Sequence, residues 1–417
     1  MQYKLIEISS EEYQQEFAKC SDPNLLQSAE WASLKSEWEA ERYALVRSAD
    51  SAGSKASVEP TAGEIVAIGQ LLYRAFPLGY KLAYLAFGPC LLEAGTEAER
   101  LIFYRELKAK LAQKKGCFLL KVHSPKLRKI FPLGSSEPAD NPAADQAFLA
   151  EMAALGFQHK GFSRDLDSTI QPRYQAVIHR ADWPEKPFSK LRYNLRQLAR
   201  REVRIERGGL ERLAEFMHCL ACTEARQEIS LRNPEYFKRL LELYPSEAEL
   251  YLAVFDIPKG REKAAHELQQ LEAELAKLRP EQVKKQRQLE EQLSSARKIS
   301  DFFAGLEAAE EVTIGAALAI HLGAVSEMPY AGNDDQYFEL PGAWGIYNEV
   351  ITDAFSRGAE RLNLGGVDGQ FNDGLSRFKA HFSPRIEENY GEFDLPLKPL
   401  VAKGFNTALK LRKKLKG

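Results

Sequence analysis

Residues 258–303 carry the pattern that most restricts how this chain can fold. Leu268, Leu271, Leu275 and Leu278 follow 3-4-3 spacing, which lays an apolar seam along one helix. Pro280 cannot continue that helix but suits the first turn of the next, and Leu289 and Leu293 give the returning helix its own seam. The spacing predicts an antiparallel coiled-coil arm of two helices of about 20 residues, on the order of 30 Å long. The arm falls between strand patterns at Leu250–Phe255 and Val312–His321, so it is an insertion within a domain. Between Lys259 and Lys298 there are ten Lys or Arg and seven Glu, and the basic residues crowd the turn at Lys277, Arg279, Lys284, Lys285 and Arg287. That composition fits a solvated spacer, or an arm whose basic tip (Lys284, Lys285, Arg287) touches RNA phosphates.

The flanking pattern occurs twice. In the first half, a helix from Leu25 to Glu37 capped by Ser28 precedes strands at Arg42–Arg47, Ile65–Arg74 and Lys81–Phe87. Ser48–Gly63 reads as a loop. Helix Thr96–Lys115 then leads through Gly116 into strand Cys117–Val122, and a soft loop at 134–146 precedes a helix near Ala147–Leu155. In the second half, helices at Ser189–Val203 and Gly209–Arg226 precede strands at Leu250–Phe255 and Val312–His321, then helix Gly342–Gly358 and strand Arg361–Leu364. A shared V-x-I-G-x-x-L links the copies: Val66, Ile68, Gly69 and Leu72 in one, Val312, Ile314, Gly315 and Leu318 in the other. A strand meander, a helix and a further strand, occurring twice, predict a duplicated α+β acyltransferase-like unit.

At 417 residues the chain has room for two or three domains, and its net charge of −2 leaves polyanion contacts to local patches. The start of the chain lacks an apolar signal segment, and no apolar run nears the roughly 18 residues of a membrane span. Five scattered cysteines fit free thiols in a reducing compartment, so a cytoplasmic location is expected. Cys219 and Cys222 form a lone C-x-x-C on a helical stretch and read as a buried structural pair, with a metal or redox role as the alternative. His123, His321 and His381 have no Cys or Asp partner at metal-like or triad-like spacing, so no metal site is expected.

Two further basic elements stand out. Arg192, Arg196, Arg200 and Arg204 recur every four residues and share one helix face, where like charges repel by a few tenths of a kcal/mol each. Such a face suits a polyanion, and Arg192, Arg196 and Arg200 are candidate tRNA or phosphate contacts. After Asp394 the chain has no acidic residue, while Lys398, Lys403, Lys410, Arg412, Lys413, Lys414 and Lys416 alternate with apolar side chains. An amphipathic basic helix there would suit peripheral contact with an anionic membrane face, and a frayed solubilising tail is the alternative.

Seven segments in order carry a resemblance: QSAEWASLK (27–35), SKLRYNLRQLARR (189–201), ACTEARQEISLRNPEYF (221–237), MPYAGND (328–334), NLGGVDG (363–369), GLSRFKAHF (374–382) and GEFDLPL (391–397). Together they resemble the FemABX peptidoglycan aminoacyltransferases, most nearly the MurM/MurN type. The resemblance implies two acetyltransferase-like (GNAT) domains, 1–165 with 383–417 returning to it and 166–382, with the arm at 258–303 inserted in the second. It implies transfer of Ala, Ser or Gly from aminoacyl-tRNA to the stem-peptide amine of lipid II or UDP-MurNAc-pentapeptide, without a cofactor. By position, Lys35 matches the lysine that contacts precursor phosphate, Arg232 and Tyr236 a pair at the substrate channel, and Tyr330 the tyrosine ending a second-domain strand. Lys379 matches the lysine at the acyl-transfer centre. The chain departs from the family where Phe87 precedes Gly88-Pro89 and where His123-Ser124 follow the strand at 117–122.

The chemistry agrees with those residue types. Amine attack on an aminoacyl ester builds negative charge on the carbonyl oxygen, which a fixed cation such as Lys379 can stabilise. The ester is already activated, so no nucleophilic Ser or Cys is needed. Lys35 and Arg232 suit a pyrophosphate as point charge and bidentate fork. Two competing readings are a CoA-dependent N-acyltransferase, whose Q/R-x-x-G-x-G/A pyrophosphate loop is missing here, and a non-enzymatic tRNA-binding coiled-coil protein.

Overall fold

The computed structural model describes residues 1–20, 22–48, 63–166, 168–279, 281–307 and 310–414, with 409–414 as backbone only. The loop expected at Ser48–Gly63 and the helix break expected at Pro280 lie almost wholly outside these residues, as do the side chains of the tail beyond 408. In chain order the strands are β1 (Gln2–Glu7), β2 (Glu39–Ser48), β3 (Glu64–Phe76), β4 (Tyr80–Ala86), β5 (Cys90–Leu91), β6 (Cys117–Pro132), β7 (Gln158–His159) and β8 (Tyr174–His179). There follow β9 (Val203–Gly208), β10 (Ala248–Asp256), β11 (Glu311–Leu322), β12 (Val325–Asn333), β13 (Arg361–Gly366) and β14 (Arg385–Pro396). The chain divides into a first unit of 1–181, 322–327 and 358–417 and a second of 182–321 and 328–357. Residues 166–181, 322–327 and 358–382, expected in the second domain, thus fall in the first unit.

In the first unit the strand order is β1-β2-β3-β4-β6-β14-β8-β13. The meander β1 to β4 is antiparallel, whereas β4 and β6 run parallel, pairing Leu85 with Val122 and Ala86 with His123. Parallel neighbours need a crossover, supplied by helix Glu97–Gln113, whose Thr96–Glu99 capping box fixes its start. Its Phe103, Tyr104, Leu107 and Leu111 pack on Val66, Leu85 and Leu120. The apolar pattern of β6 stops at Val122, but the strand continues through Pro125 to Pro132. Its ladder with β14 shifts register around Asn389, between the Ser124–Gly391 and Leu127–Asn389 pairs. An irregularity there accommodates a proline that cannot donate to a regular ladder. The helix expected near 147 begins at Pro142, where Asn141 accepts the Ala144 N–H and the proline occupies the first turn. The helix after Ser28 is shorter than expected and ends at Leu34.

In the second unit the order is β12-β11-β10-β9, with β10 antiparallel to both β11 and β9. The arm joins β10 to β11 as helices Ile257–Ala276 and Val283–Ala304, and its two ends are themselves ladder partners, Asp256 opposite Glu311. The Asp256 carboxylate accepts the Lys259 N–H to start the first helix. Leu289 and Leu293 are buried in the seam, and Lys285–Glu274 and Arg297–Glu272 pairs at 3.0 and 2.9 Å bridge the two helices.

The repeated glycine has a physical reason in both units. A Cβ at Gly69 would lie 2.7 Å from the Phe103 ring, and one at Gly315 would lie 2.6 Å from the Asn333 amide oxygen and 3.3 Å from Ile346. In each unit, then, a helix side chain (Phe103 or Ile346) closes over a strand that has no side chain at that point. Among the described residues, no helix is long and apolar enough to cross a membrane.

Candidate functional site

Lys379 lies in the first unit on the short helix Gly374–Ala380, capped by Asp373, whose carboxylate accepts the Ser376 N–H at 2.9 Å. Ser376 and Lys379, one turn apart, face inward and are buried. The lysine is only 3% exposed, and its Nζ donates to the carbonyls of Gly366 at 3.1 Å and Gly365 at 3.4 Å. Gly365 adopts a left-handed φ of 85°, and a Cβ on Gly366 would strike Pro172 at 2.5 Å. The two glycines of NLGG therefore let the backbone present its carbonyls to the lysine. Burial pulls the Lys379 amine down to about 7, against a weaker opposing pull from Asp373. Near neutral pH the group is thus not a fixed cation: both of its forms are populated.

The same unit holds a small open cleft whose polar lining includes Asp22, Glu327, Arg361, Asn363, Glu387 and Asn389. Glu327 accepts from Asn363 Nδ2 at 3.2 Å, and burial raises its carboxyl to about 7. Glu387 lies 2.9 Å from His179 Nε2 and 3.4 Å from Arg361. Such a lining suits a cationic or hydrogen-bond-donating group. Sequence reasoning passes over Glu327 because nothing in its strand neighbours marks one glutamate as special; its proximity to Asn363 of NLGG is the only signal.

Phe87 and His123, noted separately as departures from the family, touch one another in the first unit. Their ring centroids are 4.4 Å apart, and His123 Nε2 lies 2.9 Å from Asn389 Oδ1. Burial holds the imidazole down to about 4, so it is neutral at pH 7. Lys35 caps the C-terminus of helix Ala29–Leu34, half-buried, with its Nζ 4.4 Å from the Trp31 ring centroid.

In the second unit the structure gathers Arg232, Tyr236 and Tyr330. The Arg232 guanidinium sits 5.4 Å over the Tyr236 ring, and the Tyr236 and Tyr330 centroids are 6.4 Å apart, with Phe237 packed edge-on 4.8 Å from Tyr330. Asn233 caps helix Pro234–Leu243 and so fixes the turn between the arginine and the tyrosine. Burial raises the Tyr236 hydroxyl, keeping it protonated.

The basic helix Ser189–Arg200 is not uniformly available. Arg200 is bound through two guanidinium nitrogens by Glu267 of the arm, which also lies 3.5 Å from Arg201. Arg204, beyond the helix on β9, pairs with Glu206 and Glu311. Arg192 and Arg196 are not held by an ion pair among the described residues, and Arg192 is exposed. At the arm tip Lys285 pairs with Glu274 and Arg287 with Glu291, while Lys284 is exposed. On the tail helix, Val401 and Phe405 pack against a cluster with Phe76, Tyr80 and Phe118. That packing takes up the Val401 and Phe405 part of the apolar face read from sequence.

The C-x-x-C differs from expectation at one end. Cys219 is fully buried, with its thiol 3.8 Å from the Thr313 carbonyl, but Cys222 is partly exposed beside His218. His321 sits in a buried network with Tyr251 and Asp353, and burial holds it down to about 4.

The family model described as FemAB matches residues 8–410 of the chain. Lipid II:glycine glycyltransferases of Staphylococcus aureus strains MRSA252 and USA300 are each 26% identical over 410 residues, covering 90% of this chain and 89% of theirs. A crystal structure of FemX superposes with a TM-score of 0.69 at 22% identity, covering 96% of this chain and 99% of that one. The fold is therefore α+β, in two units with the helical arm in the second.

Proposed function

Because this chain belongs to the FemAB family, we propose that it transfers Ala, Ser or Gly from aminoacyl-tRNA to the stem-peptide amine of a peptidoglycan precursor, lipid II, building interpeptide branches. The observation that carries the reading is the environment of Lys379. A lysine whose amine is held near 7 matches the two tasks of the reaction, removing a proton from the attacking ammonium and returning one to the leaving oxygen.

Two positions around Nζ are directed at the Gly365 and Gly366 carbonyls, leaving the third as a lone pair or an N–H. As a lone pair it takes a proton from the substrate ammonium, and the freed amine attacks the ester carbonyl. As an N–H it then stabilises the developing oxyanion and delivers a proton to the departing ribose oxygen. The amide C–N bond forms and the ester C–O bond breaks. The ammonium loses two protons in all, one to the ribose hydroxyl and one to solvent. This adds the role of base to the one expected from sequence, a fixed cation at the developing oxyanion.

In this reading Lys35 is a point charge for the precursor diphosphate, and Arg232, Tyr236 and Tyr330 line the acceptor channel. Arg192 and Arg196, together with the arm tip at Lys284, Lys285 and Arg287, meet tRNA phosphates. Arg200 braces the helix to the arm through Glu267. No cofactor takes part, because the ester is already activated. The protein works in the cytoplasm, at the inner membrane face where a lipid-linked acceptor is presented, with Lys403 on the exposed side of the tail helix and Lys398 just ahead of it.

The test is transfer by the full-length protein with charged Ala-, Ser- and Gly-tRNA, supplied with lipid II or UDP-MurNAc-pentapeptide. Transfer to lipid II from at least one charged tRNA is expected. No transfer with any pairing, or transfer from acetyl-CoA instead, would sink the proposal.

A further inference from the structure

Outside the machinery above, one cluster of ligating side chains has no lysine or arginine paired with its carboxylate among the described residues. His218 and Cys222 lie one turn apart on helix Leu213–Gln227, and Asp334 follows the end of β12, all within the second unit. His218 Nε2 is 2.9 Å from Asp334 Oδ2 and 3.8 Å from Cys222 Sγ, and one ligand atom from each residue lies within 4.8 Å of the others. A tetrahedral Zn²⁺, with bonds of about 2.0–2.3 Å, separates N, O and S ligands by roughly 3.2–3.6 Å. Both measured spacings fall within about half an ångström of that range.

The surroundings hold the trio in place. Gly332 lies so close under the helix that a Cβ there would be 2.4 Å from the Cys219 carbonyl oxygen. Thr223 Oγ1 accepts the Asn333 N–H at 3.0 Å, and Arg226 binds Asp335. Asp334 uses its other oxygen to accept the Gln336 N–H at 3.0 Å, so the oxygen facing His218 is oriented by its partner. A second trio in the same unit, Glu249, His321 and Asp353, makes a useful contrast. Arg357 binds both of its carboxylates and Arg207 binds Asp353, so two guanidinium groups already occupy the place of a cation. At Asp334 the nearby arginine goes to Asp335 instead.

We infer that His218, Cys222 and Asp334 form a binding site for a divalent transition ion of the zinc class, with exposed His218 leaving a fourth position open to solvent. One imidazole, one thiolate and one carboxylate favour Zn²⁺ or Co²⁺ over Mg²⁺ or Ca²⁺, which prefer all-oxygen shells. On binding, the thiol gives up its proton to solvent as the metal–sulfur bond forms.

The experiment is titration of chelator-treated full-length protein with Co²⁺. Expected are a thiolate-to-cobalt charge-transfer band in the near ultraviolet and tetrahedral d–d bands, both saturating at a single equivalent and abolished by Zn²⁺. The charge-transfer band should vanish in Cys222→Ser, and affinity should fall by roughly tenfold or more in His218→Gln. A second measurement needs no variant. Cys222 is the only partly exposed cysteine among those described, so Zn²⁺ should slow its alkylation in the native protein. Absent bands, bands that survive in folded Cys222→Ser, or an alkylation rate indifferent to Zn²⁺ would overturn the site.

Discussion

The two units handle positive charge in opposite ways. In the first, cations are drawn inside: Lys379 lies against two carbonyls, Lys121 between Glu392 and Asp394, and Arg173 against Glu388. In the second, Arg192 and Lys284 stand in solvent. Burial makes the charge of a lysine conditional, whereas exposure keeps it permanent. Lys121 shows that burial alone does not decide the outcome. Two carboxylates outweigh its desolvation and raise its pKa, whereas Lys379 has only Asp373 to oppose burial and titrates near neutrality. A conditional charge suits proton transfer. A permanent one suits holding a polyanion.

The contrast breaks most decisively at Lys379. Lys379→Met should lower kcat by about 10²–10⁴-fold while leaving the protein folded, and the acid limb of the pH–rate profile near 7 should disappear. Activity unchanged in that variant would remove the lysine from the reaction. The next effect is on stability. Because the folded amine is depressed from 10.5 to about 7, the unfolded chain binds the extra proton between those values, so wild-type stability rises with pH across that window. At about 1.4 kcal/mol per unit, the full rise is on the order of a few kcal/mol. Urea unfolding at pH 6 and pH 9.5 should show it in wild type and show little of it in Lys379→Met, which should also be the more stable of the two at pH 6.

Smaller effects compare the two repeats. Gly69→Val should cost about 1–3 kcal/mol by driving Phe103 from its place, measured by the denaturation midpoint. Gly315→Val should cost less, since the nearest atom is a side-chain amide oxygen that can swing away. Equal costs would show that the Asn333 amide is held in place as firmly as the Phe103 ring. The smallest effect is electrostatic. Arg192→Gln with Arg196→Gln should reduce the salt slope of tRNA binding by about 1 for each phosphate that is no longer neutralised, and Arg200→Gln should change it less because Glu267 already holds that side chain.

Much of this is legible in sequence where the signal is local. The leucine seam, the helix start at Thr96 and the repeated V-x-I-G-x-x-L all act within a few residues of themselves. What escapes depends on partners far along the chain. β6 runs on past Val122 because β14, far downstream at Arg385–Pro396, supplies its ladder. Lys379 is singled out by its motif, yet its titration is set by burial against a weaker pull from Asp373, and a motif does not record burial. His218 draws no attention because Asp334 meets it only after the helix closes on Gly332. The Phe87–His123 pair is instructive in another way. Two apparent deviations become one substitution in two parts, an aromatic ring and an imidazole that accommodate each other.

The pairing of Asp256 with Glu311 at the root of the arm has a practical consequence. Because those residues remain ladder partners whatever joins them, the excursion between them behaves as a cartridge clipped into a hairpin. A tight turn could replace all of 257–310, or an arm of different length and charge could be fitted, while β10 and β11 stay in register. Loop-closure cost grows only slowly with length, so such exchanges would cost the body little. Under the proposed function, the nucleic-acid preference would then be retuned by swapping one contiguous segment, with Lys379 outside the exchanged residues.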